Sequence, residues 1–128
     1  MSSKEHQLHE ACTFGRINNV KRLIQEGADV NWKISTRGDT PLMSAALSAA
    51  PNAVDVVRLL LDSGADVNST SDGRNTALHY AAANNKDGVV RLLIERGAIL
   101  HLKNNNGDPK IPLDIAKRYS QSQNLLKN

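Results

Sequence analysis

One register recurs along this chain. Leu8, Leu42, Leu78 and Leu113 each open a short apolar stretch, spaced 34, 36 and 35 residues apart. Val20-Lys21-Arg22-Leu23-Ile24, Val56-Val57-Arg58-Leu59-Leu60 and Val89-Val90-Arg91-Leu92-Leu93 each lead to a Gly-Ala pair, at Gly27, Gly64 and Gly97. A period of about 33 residues accounts for both sets, with three small insertions. One extra residue falls between Asn31 and Thr40, three around Ala49–Pro51, and two between His101 and Ile111. All three lie between predicted helices, where added backbone costs least. A repeat of this length is one supersecondary unit, which excludes a single large core.

Each unit reads as two short antiparallel helices. Thr40 is placed to cap the first, with Pro41 at the first helical position, where its missing N–H costs nothing. Leu42, Ala45 and Ala46 follow at helical spacing, small enough for neighbouring helices to approach closely. Asn52 and Asp55 form a cap-like pair before a second helix over Val54–Asp62. That helix sets Val56, Val57, Leu60 and Leu61 on one face, and Gly64 stops it in a left-handed turn. No unit can bury its stripe alone. Stacking creates a thin continuous core, which explains why aromatic residues are only 3% of the chain. The fold class is therefore an all-α solenoid of helix-turn-helix units.

With Thr40-Pro41-Leu42 at one point of the register and Leu60-Leu61-Asp62-Ser63-Gly64-Ala65-Asp66-Val67-Asn68 at another, the chain resembles the ankyrin repeat family. The resemblance covers nearly all of it. It implies β-hairpin-like loops between units and a single domain over 1–128, with repeats at about 4–37, 38–72, 73–106 and 107–128. Both ends have capping character. The first unit starts at polar Glu5–His9, and the last carries Lys117, Arg118, Gln121, Ser122 and Gln123. Ala77 replaces the turn proline, Ile111 the turn threonine, and Ile99-Leu100-His101 the Asp-Val-Asn. Such departures make the last repeat the expected weak point.

Chemistry for catalysis is hard to find. Cys12 and His9 are three residues apart, but Cys12 occupies the position of Ala46 and Ala82, so it reads as a packing residue and His9 as a turn residue. His6, His9, His79 and His101 show no metal-ligand spacing. His79 falls where, by the resemblance, an imidazole bonds between neighbouring turns. Gly107–Lys110 lacks the elements of a phosphate loop. No enzyme, metal or cofactor is expected. No apolar run reaches the roughly 20 residues of a membrane helix, and Met1–Glu10 has no apolar stretch of a secretory signal. With a single cysteine, the expected location is the cytoplasm or nucleus, and the expected state a monomer.

The resemblance implies binding to a protein partner through the hairpin tips and a concave face of first helices. The tips are 32–39, 69–75 and 102–110. Candidate contact residues are Trp32, Arg37, Asp39, Leu47, Arg74, Asn75, Tyr80 and Asn84, a set rich in types that anchor interfaces. The alternatives are that Trp32 packs on Ile34 and that Phe14 covers an open end of the stack. Asn31 and Asn68 look like asparagines hydroxylated in ankyrin domains; the plainer reading is a turn asparagine bonded to its own hairpin. The role expected is an adaptor, scaffold or inhibitor. The alternative is a binder of nucleic acid or another anionic surface. The whole formal net charge of +3 lies in residues 65–128, with Lys103, Lys110, Lys117, Arg118 and Lys127 near the end. No basic stripe interleaved with aromatics accompanies it, so nucleic acid is the less favoured partner.

Overall fold

A computed structural model describes residues 3–34 and 36–99. The expected fourth repeat, the tip at 102–110 and the basic terminal residues lie outside the described residues. So does the expected weakness of the last repeat. Six helices are described: α1 (Lys4–Phe14), α2 (Ile17–Gln25), α3 (Pro41–Leu47), α4 (Ala53–Asp62), α5 (Ala77–Ala83) and α6 (Asp87–Glu95). No strand occurs among these residues. Within each unit the two helices pack on each other. Between units α1 packs on α3 and α3 on α5, while α2 packs on α4 and α4 on α6. This is a two-layer solenoid of three helix pairs.

The first helices start as their turn chemistry dictates. The Thr40 hydroxyl accepts from the Met43 N–H, and Pro41 follows at the first position. Thr76 caps α5 in the same way, and the Nδ1 of His79 returns to the Thr76 N–H at 3.1 Å. Leu42, Ala45 and Ala46 on α3, and Leu78, Ala81 and Ala82 on α5, are buried. Cys12 is buried at the matching point of α1, and burial pushes its thiol up to about 12. At neutral pH it is an inert packing group. Second helices bury one stripe each, such as Val56, Val57 and Leu60. Each fully buried aliphatic chain contributes about 1.5–3 kcal/mol relative to exposure.

Every second helix ends alike. Ala28, Ala65 and Ala98 donate to the carbonyls of Leu23, Leu60 and Leu93, each at 2.9–3.0 Å, while Gly27, Gly64 and Gly97 take positive φ. The glycine N–H groups donate as well, to the carbonyls of Ile24, Leu61 and Ile94, and this double closure satisfies carbonyls that the helix end leaves free. The Asn52 prediction needs correction. Its side chain makes no cap bond; its Nδ2 donates to the Gly15 carbonyl of the preceding unit at 2.9 Å. The three-residue insertion is thus folded onto the end of α1. The Ser48 hydroxyl donates to the Thr13 carbonyl at 2.8 Å, and a Cβ on Gly15 would collide with Ala50 and Asn52.

Asn31 and Asn68 join one unit to the next. The Asn31 Nδ2 donates to the Gly64 carbonyl at 3.1 Å, and its Oδ1 accepts from the Asp66 N–H at 2.8 Å. Asn68 repeats this with the Gly97 carbonyl at 3.3 Å and the Ile99 N–H at 2.8 Å. The side chains therefore bond to the following repeat rather than to their own hairpin. In the first turn, α1 fills the corresponding role. Glu5 accepts from the Asp29 N–H at 3.0 Å, and the Lys4 ammonium donates to the Glu26 carbonyl at 2.8 Å. Replacing Asn31 by Ala removes two such bonds, and we expect a loss of about 1–2 kcal/mol in urea unfolding. Asn31→Asp, which keeps the acceptor, should lose less. Unchanged midpoints in both variants would show that the amide joins nothing.

Candidate functional site at the hairpin tips

The two described tips are built differently. In the first, Gly38 donates back to the Ile34 carbonyl at 2.7 Å; in the second, Arg74 donates to the Ser71 carbonyl at 2.9 Å. The extra residue between Asn31 and Thr40 is accommodated in this longer turn. The tips are tied together, since the Asp72 N–H donates to the Arg37 carbonyl at 2.9 Å and the Lys33 ammonium to the Thr70 carbonyl at 2.8 Å.

Between them runs an open groove of about 330 Å³, lined by Thr36, Arg37, Ser71, Asp72, Gly73, Asn75 and Tyr80. Its floor rests on Asp39. That carboxylate is buried, with its side chain 6% exposed. Its Oδ2 receives the Arg37 guanidinium at 2.5 Å and its Oδ1 the Tyr80 hydroxyl at 3.0 Å. A buried charge needs such compensation. Tyr80 comes from α5, one unit further on, so this network fixes groove and stack together.

Of the residues read from the sequence, Arg37, Asp39, Asn75 and Tyr80 converge here. Arg37 keeps its side chain 63% exposed. Arg74 stands between Gly73 and Asn75, exposed, with φ of 63°. The matching first-tip residue is Gly38, with φ of 71°. Asn84 is exposed at the end of α5 and donates to the Tyr80 carbonyl at 2.8 Å. Leu47 is half-buried at the end of α3. Phe14 is 61% exposed, with the Arg16 guanidinium 5.2 Å from its ring centroid, rather than covering an end of the stack. Ser71, buried in the groove wall, was missed by sequence reasoning. Its only signal was its place in Ser71-Asp72-Gly73, which reads as an ordinary turn.

Trp32 makes separate contacts. Its ring meets His6 edge-on at 4.9 Å and His9 at 6.1 Å. His9 is buried and bridges to the second unit. A carbonyl only accepts, so Nε2–H donates to the Trp32 oxygen at 3.0 Å, and Nδ1 accepts from the Ser44 hydroxyl at 3.0 Å. His9 thus ties the first turn to α3 of the second unit.

These features define the class: a solenoid whose helix pairs are linked by turns that project a polar edge. The comparisons agree. A family model described as ankyrin repeats in three copies matches residues 3–71 and 48–127, and the chain belongs to that family. It is similar to a probable E3 ubiquitin-protein ligase of Oryza sativa subsp. japonica, 34% identical over 117 residues, covering 90% of this chain and 22% of that protein. It is also similar to inversin of Mus musculus, 41% identical over 81 residues, covering 63% of this chain and 7% of inversin. The ankyrin repeat and KH domain-containing protein mask of Drosophila melanogaster is 40% identical over 103 residues, covering 79% of this chain and 2% of that protein. The chain spans about a third or less of the curated relatives it matches. Ankyrin repeats are generally protein-interaction modules, and the family is typically non-catalytic. Among the described residues, no helix is long and apolar enough to cross a membrane.

His9 yields a pH prediction. Burial lowers its pKa from the ordinary 6.5 and His6 adds to this, against the Trp32 carbonyl and the charge of Asp39, which raise it. The unfolded chain therefore binds more protons in acid. The stabilisation is present above pH 6.5 and is lost as pH falls below it, through the lower folded value. Melting temperature should rise between pH 5.5 and 7.5, and less so in His9→Met, which carries the residue found at the matching position 43. Equal slopes would contradict a neutral buried His9.

Proposed function

We propose that this chain is a non-catalytic binding module, acting as an adaptor, scaffold or inhibitor for a protein partner. The contact surface is the edge formed by the hairpin tips and the first helices. The observation that carries this is the groove between the tips: Arg37 and Asn75, from two successive tips, and Tyr80 of α5 line one opening. Bonds within the fold hold it in place, so little ordering is required on binding. Trp32, Leu47, Arg74 and Asn84 extend the surface along the same edge, and Asp39 supports it from beneath. The module would act as a monomer in the cytoplasm or nucleus. Within a longer protein it would recruit the partner, and any catalysis would belong to other domains. Binding to nucleic acid through the basic C-terminal third is the second reading, but most of those cations lie outside the described residues.

A photo-crosslinking amino acid tests this directly. It would be placed at Asn75 in the groove, or at exposed Arg58 on α4, in lysate of the source organism. We expect a discrete protein adduct from position 75 and none from position 58. Adducts from position 58 alone, or adducts removed by nuclease, would overturn the proposal.

A further inference from the structure

We propose that the groove between the two described tips takes an acidic, extended segment of a partner protein, with Arg37 of its lining and Arg74, between the lining residues Gly73 and Asn75, as carboxylate anchors. This deepens the binding reading above and rests on it. Four observations support it.

The first is conformational. Arg74 has φ of 63°, a left-handed backbone that a non-glycine residue adopts at a cost, and the first tip uses Gly38 at the same place. The fold gains nothing locally from an arginine there. Outliers of this kind motivate a search for function. The second is that its guanidinium is unspent: none of the side-chain bonds or ion pairs among the described residues involves it.

The third is the charge around the groove. The two tips carry three cations, Lys33, Arg37 and Arg74, against two carboxylates, exposed Asp72 and buried Asp39, a balance of +1. The second acid, Asp39, is buried and already met by Arg37 and the Tyr80 hydroxyl. Asp72 lies close against Gly38 at the boundary between the tips. The formal charge of the two tips is positive, and a guanidinium suits a carboxylate through paired N–H donors. The fourth is orientation. Asp39 grips Arg37 through one terminal nitrogen while its side chain stays 63% exposed, so its remaining N–H groups can serve a ligand. Thr36 and Asn75 add neutral partners suited to a peptide backbone.

A random-peptide display selection against the folded chain tests the idea, followed by affinity measurement of the selected peptides. Enrichment of Asp and Glu is expected. Arg74→Glu should weaken the best acidic peptide by roughly tenfold or more. Arg74→Gly should also weaken it while raising the melting temperature, because glycine relieves the left-handed strain; this separates lost binding from lost folding. Selected peptides without an acidic bias would overturn the anion chemistry and leave the binding module standing. No selected peptide would overturn both. Unchanged affinity in the two Arg74 variants would overturn the anchor, and tighter binding of a single-stranded oligonucleotide than of any acidic peptide would assign the edge to nucleic acid.

Discussion

The asparagine amide that reaches from one turn into the next is the interaction on which the rest of this structure depends. Helix pairs of this size cannot bury their apolar stripes alone, so stacking supplies the core. Apolar contact between Leu, Val and Ala faces has little directional preference. Asn31 and Asn68 add direction, because each matches one carbonyl and one N–H of the following Gly-Ala turn. Spacing and rotation between units follow from that pairing. In the first turn Glu5 of α1 takes the equivalent N–H, that of Asp29, while Lys4 bonds the Glu26 carbonyl one residue before the equivalent one.

Once successive turns hold a fixed spacing, the tips they carry do as well. The groove exists because the Arg37 carbonyl meets the Asp72 N–H and because Tyr80 of α5 reaches the buried Asp39 of the preceding unit. Neither tip alone would present this opening. The binding edge is thus a property of the stack, and the polar network beneath it belongs to the fold as much as to the site. This is why Tyr80, read from the sequence as a contact residue, lines the groove with its ring and is anchored at its hydroxyl.

Repeat length, helix pairs and capping threonines were legible because they follow from local rules repeated at a fixed period. Thr40 and Thr76 cap, Gly64 stops a helix, and Ala46 reports close approach, each by its own chemistry. Polar cross-links between units were not legible. Asn52 has the profile of a helix cap, yet bonds to Gly15, because the insertion folds back on α1. Asn31 has the profile of a turn residue, yet its amide finds better partners one repeat away. Trp32 was singled out as an aromatic near the edge, but period alone could not place it against His6 and His9. The convergence of Arg37, Asn75 and Tyr80 required the three-dimensional stacking that those bonds define.

The most direct test of an edge assembled between repeats is a double-mutant cycle on Asp39→Asn and Tyr80→Phe, read by urea unfolding. The two side chains are distant in sequence and meet only if the second and third units stack as described. A coupling energy of about 1 kcal/mol or more is predicted for this partly buried, charge-assisted bond. Additive effects, with no coupling, would contradict the account.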